Sequence, residues 1–235
     1  MLGIFAKDPN GLAVKTRLGL QAPDAAHFYR ACLADTIETA CAVETAPFLF
    51  LALDSKSALD SALATLRAAL LDLGLENSTW ERLRFAPQQG CDLGERLEQA
   101  FAAMPTLPAC VIGSDSPSLP PARLAGGLQA LERLPEVDMI LGPTTDGGYY
   151  LMGCRQFPPG LLRDVAWSST RALADTRRRA EDHGLRVEVL EPWSDVDVPA
   201  DLPVLCQQIA ALRSEGDART ARHVEAVLAK LGGEP

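Results

Sequence analysis

The chain predicts an α/β sandwich built on a doubly wound, mostly parallel sheet with helices on both faces. Three observations carry this. Short apolar runs alternate with helical patterns along nearly all of the sequence. The first run breaks into a charged loop containing Gly and Pro, as a buried parallel strand does at a functional edge. No repeat, low-complexity tract or linker interrupts the pattern, so residues 1–235 read as one domain.

The elements follow in order. Residues 2–6 are a strand. In residues 24–43, Phe28, Leu33, Ile37 and Ala40 recur near helical spacing. Residues 47–53 form a second strand, and residues 57–73 an Ala- and Leu-rich helix that Gly74 stops. A short strand over 83–86 precedes a helix over 93–104. Residues 109–113 are the clearest buried strand. Pro120 and Pro121 open a helix reaching about Leu134, because proline suits the first turn. Strands follow over 137–142 and, after an Asp146-Gly147-Gly148 turn, over 149–154. A helix over 168–182, a strand over 186–190 and a helix over 201–213 lead to a terminal helix over 217–231 with a frayed Gly-Gly-Glu-Pro end.

Composition excludes several function classes. Hydrophobic residues at 47% and charged residues at 23% are globular proportions, not those of a disordered chain. Against 22 basic side chains stand 31 acidic ones, a net charge of -9 that repels a polyphosphate backbone and argues against a nucleic-acid partner. An anionic ligand then needs a local basic cluster or a metal ion. The six cysteines show neither a C-x-x-C pair nor zinc spacing, and a chain this long needs no disulfide staples. The first residues lack a signal-peptide layout, and no uncharged apolar stretch reaches about 18 residues. A cytoplasmic protein without a membrane partner is expected.

In a doubly wound sheet, ligands bind beyond the carboxyl ends of the strands, so the chemistry belongs in the loops there. The loop 7–18, K-D-P-N-G-L-A-V-K-T-R-L, carries Lys7, Lys15, Thr16 and Arg17. It can offer backbone N–H groups and cationic side chains to phosphates, or be a solvated basic loop. It matches neither a Walker A loop nor a dinucleotide fingerprint. Asp115, in G-S-D-S-P after the clearest strand, sits where metal or substrate ligands lie; it is also five or six residues early for capping the next helix. Asp195 and Asp197 in S-D-V-D-V share one face of an extended segment, and two close carboxylates invite Mg²⁺ or Mn²⁺. Alternatively, Asp197 caps the helix at Pro199 and Asp201. Asp146, Gly147 and Gly148 are either a plain hairpin turn or a close-approach surface with Asp146 facing the cleft. In Q-Q-G-C-D-L-G-E-R, Asp92 beside Gly94 caps a helix or meets a base or ribose. Trp167 to Thr170 reads as a helix cap with an aromatic staple, and His27, His183 and His223 read as structural or surface residues.

Together these segments, A-K-x-P…K-T-R-L, G-x-D-L-G-E-R, G-[TS]-D-S-P-x-L, G-P-x-x-D-G-G-Y-Y-L, W-S and D-V-D, resemble a bacterial glycosyltransferase family of GT-A, nucleotide-diphospho-sugar-transferase type. Some of its members are linked to arsenosugar biosynthesis. It is related to the phospholactate guanylyltransferases and the molybdopterin-cofactor nucleotidyltransferases. The resemblance runs from about Phe5 to Leu205. It implies that Lys15 and Arg17 bind nucleotide phosphates, that Asp115 holds a divalent metal, joined as in the guanylyltransferase relatives by Asp195 and Asp197, and that Gly147 and Gly148 lie beside the acceptor. The family usually reads P-x-P-G in its first loop, where this chain has Pro9-Asn10-Gly11-Leu12.

The expected activity is metal-dependent transfer, with Mg²⁺ or Mn²⁺, from a nucleotide-activated donor to a small-molecule acceptor. Lys15 and Asp115 are its catalytic groups, and Asp146 is a candidate base. Glycosyl transfer from a sugar nucleotide leads. Nucleotidyl transfer from GTP or CTP and a non-catalytic nucleotide-binding module are the alternatives.

Overall fold

The computed structural model describes residues 1–54 and 58–231. Ser57, the expected start of the second helix, and the Gly-Gly-Glu-Pro end lie outside those residues. The strands are β1 (Leu2–Lys7), β2 (Phe48–Ala52), β3 (Arg84–Pro87), β4 (Ala109–Gly113), β5 (Met139–Pro143), β6 (Tyr149–Cys154) and β7 (Val187–Val189). They form one sheet in the order β3-β2-β1-β4-β6-β5-β7. Every pairing is parallel except the two made by β6, which runs antiparallel between β4 and β5. The Asp-Gly turn explains this exception. It joins β5 to β6 as a tight hairpin, and a hairpin must reverse direction.

Side chains alternate across the sheet. Leu2, Ile4, Leu49, Leu51, Cys110, Ile112, Ile140 and Leu151 face one way. They pack against α1 (Ala22–Val43), α2 (Leu59–Asp72) and α5 (Pro121–Arg133). Phe50, Ala109, Val111, Met139, Leu141 and Met152 face the other way, onto α4 (Leu93–Ala103) and α6 (Ala172–Asp182). Burying each large side chain contributes about 1.5–3 kcal/mol, so both faces are secured by ordinary hydrophobic burial. A third cluster joins α1 to α7 (Asp201–Ser214) and α8 (Arg222–Leu231) through Phe28, Leu205, Ile209 and Val224.

Most expected elements appear, with ends moved by one to a few residues. The four-residue helix α3 (Asn77–Trp80) was not anticipated. Two corrections concern caps. The segment 168–171 is not helical, and α6 starts only at Ala172 without a side-chain cap. Ser169 spends its hydroxyl on the Ala166 carbonyl and the Arg171 N–H instead. The terminal helix starts at Arg222 rather than near 217, because Asp217 uses both carboxylate oxygens to close a turn on Arg219 and Thr220.

Candidate active site

β1, β4, β5 and β7 run the same way, so the segments after them leave along one edge. The strand order reverses between β1 and β4, and a sheet opens a crevice at such a switch point. Four loops deliver charge there: Lys15 and Arg17 after β1, Asp115 after β4, Asp146 after β5, and Asp195 and Asp197 after β7.

Lys15 is the hub. Its side chain is 2% exposed, and its ammonium bonds Asp115 Oδ1, the Val196 carbonyl at 2.6 Å and Asp197 Oδ1 at 3.4 Å. Burial works against the ammonium, but the neighbouring carboxylates, Asp115 foremost, outweigh it and raise its pKa. The backbone at Lys15 is left-handed, with φ of 49°, which costs of order 1–3 kcal/mol outside glycine. Those three contacts hold it there. Arg17, largely exposed, donates to Asp197 Oδ2 at 2.6 Å. The Val196 N–H donates to the Asp115 carbonyl at 2.9 Å, so the two acidic loops are also tied through their backbones.

Asp195 is half-buried beside them. Burial first, then the charge of Asp146, with smaller pushes from Asp197 and Asp115, moves its pKa up to about 6. Four carboxylates thus share this corner with two cations. This donor set suits a hard divalent ion in charge and oxygen chemistry. Its spacing is not closed around one: among the described residues, no three of these carboxylates bring oxygens within 4.8 Å of each other. The Lys15 ammonium stands between Asp115 and Asp197.

The alternative cap roles for Asp115 and Asp197 are not what the geometry displays. Both turn toward Lys15. Asp201 instead bends back, its Oδ2 accepting the Asp197 and Val198 N–H groups at 2.8 Å. Asp92 does cap: its Oδ1 accepts the Glu95 N–H at 2.8 Å, at the start of α4. Asp146 closes its own turn, with Oδ1 accepting the Thr144 hydroxyl at 2.6 Å and the Gly148 N–H at 3.0 Å. Gly147, at φ of 92°, lies so close to Thr170 that a Cβ would fall 2.4 Å from the Thr170 oxygen. A Cβ on Gly94 would meet the Trp167 ring at 3.2 Å. The glycine turn, the tryptophan segment and the start of α4 therefore pack together. Thr16 is exposed on the first loop, and Lys7, expected there too, is the exposed last residue of β1.

Several structuring residues escaped the sequence reading. Buried Tyr29 on α1 accepts the Lys7 N–H at 2.8 Å and shares a 2.9 Å hydrogen bond with the Ser114 hydroxyl, joining the loops after β1 and β4. Buried Asp8 accepts the Asn10 N–H and side-chain amide, both at 3.0 Å, shaping the Pro9-Asn10-Gly11 turn. Gln208 on α7 accepts the Ser118 hydroxyl at 2.6 Å and donates to Ser194 at 2.7 Å, bracing both acidic loops. The Asx turn at Asp8 was legible as D-x-N; the other two contacts span too much sequence to leave a local signal.

Sheet order and switch point define a nucleotide-diphospho-sugar-transferase-like fold. A crystal structure of a proposed nucleotide-diphospho-sugar transferase from Desulfovibrio desulfuricans G20 is similar at TM-score 0.75 and 27% identity, over 97% of this chain and 96% of that one. A cytidylyltransferase from Leptospira borgpetersenii serovar Hardjo-bovis shares the fold at TM-score 0.52 and 8% identity, over 93% and 95% of the two chains. CMP:2-keto-3-deoxy-manno-octonic acid synthetase, in complex with CTP, shares it at 0.51 and 13%, over 90% and 98%. The chain belongs to the family described as "Uncharacterized protein conserved in bacteria (DUF2064)", whose model matches residues 36–169. That span holds Asp92, Asp115 and Asp146, with Lys15 before it and Asp195 and Asp197 after it. No curated protein matches the chain.

Proposed function

We propose that this chain is a nucleotide-dependent transferase domain that moves a glycosyl group from a sugar nucleotide to a small acceptor. The supporting observation is the convergence of Lys15, Asp115, Asp195 and Asp197 at the switch point of the sheet. The extensive likeness to the Desulfovibrio protein supports the same class of donor.

Asp115, Asp195 and Asp197 would hold Mg²⁺ or Mn²⁺, which supplies positive charge to a leaving diphosphate. Lys15, freed in part from its carboxylates, would donate to phosphate oxygens, and exposed Arg17 would neutralise what remains. Gly113, where a Cβ would meet nothing within 4 Å, leaves space beside Asp115 for the donor. Asp146 Oδ1 holds the turn, so its other oxygen is the one placed to take a proton from an acceptor hydroxyl. Asp92, as a helix cap, would position the Gly94 backbone rather than touch a base.

The test is a panel of sugar nucleotides and nucleoside triphosphates, each titrated with Mn²⁺ against the wild-type chain and Asp115→Asn. Metal-dependent binding and release of a nucleoside diphosphate, both lost in the variant, are expected. Pyrophosphate release would replace glycosyl transfer with nucleotidyl transfer. Binding without turnover would mean a non-catalytic module, and no binding of any nucleotide would overturn the reading altogether.

A further inference from the structure

On the α1 side of the molecule, away from the switch-point carboxylates, Asp35 and Glu38 of α1 meet His223 in the first turn of α8. Among the described residues, this is the group of three possible metal ligands whose donor atoms all lie within 4.8 Å of one another. The imidazole fixes its own tautomer. Nδ1 lies 3.1 Å from the Leu73 carbonyl, which can only accept, so Nδ1 carries the proton. In the neutral ring, Nε2 is then a lone pair. His223 is 3% exposed, and Nε2 meets no donor, because the polar group it faces is a carboxylate that only accepts. It points at the two carboxylates, 3.3 Å from Glu38 Oε1.

We propose that Asp35, Glu38 and His223 form a divalent-cation site of the zinc type, separate from the transferase centre and joining α8 to α1. Three features support it. Tetrahedral zinc with ligands about 2.0–2.1 Å away separates them by roughly 3.3 Å, the spacing that Nε2 and Oε1 already have. A histidine ligand characteristically donates its other ring N–H to a carbonyl, as Nδ1 does to Leu73. Both carboxylates are also fixed from behind. Asp35 accepts the His223 and Val224 N–H groups at 3.0 and 2.9 Å, and Glu38 takes the Arg222 guanidinium at 2.9 and 2.5 Å. Each oxygen keeps a second lone pair for a metal.

A cavity of about 370 Å³, whose wall also carries Arg82, Arg219 and Arg222, opens onto Asp35 and Glu38 and gives an ion a path and water for a fourth ligand. The competing occupant of Nε2 is a proton, and the experiment separates the two.

Full-length protein stripped with a chelator is titrated with Zn²⁺ alone, followed calorimetrically and by metal analysis. One equivalent is expected. His223→Gln and Glu38→Gln should each weaken it by more than the roughly 10–100-fold that losing an outer-shell partner costs. The double variant Asp115→Asn/Asp197→Asn should retain it, which separates this site from the proposed transferase centre. If His223→Gln fails to fold, ¹⁵N spectra of the wild-type imidazoles decide: Zn²⁺ should shift Nε2 of one neutral Nδ1–H ring. No stoichiometric Zn²⁺, an equivalent that survives both ligand variants, or an Nε2 resonance unmoved by Zn²⁺ would overturn the site.

Discussion

Lys15 sits in a backbone conformation that lysine rarely adopts, with its charge almost out of water. Only three well-placed acceptors make that tolerable, and all three come from segments at least a hundred residues away in sequence. Removing the ammonium takes the ion pair from Asp115 and leaves Asp197 to Arg17 alone. Lys15→Met is therefore expected to cut transferase turnover by about 10²–10³, the usual cost of losing one preorganised electrostatic donor. Lys15→Arg should rescue little, because a planar fork does not fit a pocket shaped around a compact ammonium. Steady-state kinetics on the two variants checks this. Asp92 makes the opposite case. Its carboxylate is committed to the Glu95 N–H, so Asp92→Ala should cost about 1 kcal/mol in denaturant unfolding while nucleotide affinity stays unchanged. A large affinity loss would mean that Asp92 reads the nucleotide after all.

At the level of elements, the β5–β6 hairpin decides the most. It places the antiparallel strand inside the sheet, and its turn carries both Asp146 and the glycine against which Thr170 packs. Gly147→Ala combines positive φ with a backbone clash, so it should destabilise the chain by about 1–3 kcal/mol and shift the tryptophan segment. Gly126→Ala is the control. That glycine is exposed within α5, a Cβ there meets nothing within 4 Å, and the change should stabilise by about 0.5–1 kcal/mol. Thermal unfolding of both variants, with tryptophan fluorescence following Trp167, measures the contrast. α1 has a comparable reach: Tyr29 fastens two site loops near its start, and Asp35 and Glu38 receive α8 further along.

For the molecule as a whole, the acid side of the stability curve is set by carboxylates held below their ordinary pKa. Asp138, just before β5, is one. Hydrogen bonds from the Arg186 side chain and backbone lower it from 3.8 to about 2. A depressed carboxylate contributes stability that is complete above its unfolded value and is lost as pH falls through the folded one. Melting temperature should therefore fall between about pH 4 and pH 2, and Asp138→Asn should flatten that limb. Arg186 is exposed, so the effect should be small and shrink with salt. At this scale the sequence was a good guide. Strand–helix alternation gave the architecture, since an amphipathic or doubly buried segment carries its period in its own residues. The two elements placed poorly, the starts of α6 and α8, are those where serine or aspartate side chains compete with the helix for backbone groups.

The candidate site was legible as residue types and not as an arrangement. Asp115, Asp195, Asp197 and Lys15 stand out because charged residues in the loops that follow strands are conspicuous in any linear reading. That Lys15 would bind the acids rather than stand free for phosphate was not readable, nor that His223 would meet Asp35 and Glu38. Local periodicity, turn chemistry and strand order are short-range properties, so the sequence by itself determined them. Which charges neutralise one another depends on burial and on distances closed across 100 to nearly 190 residues, and only the tertiary structure could decide that.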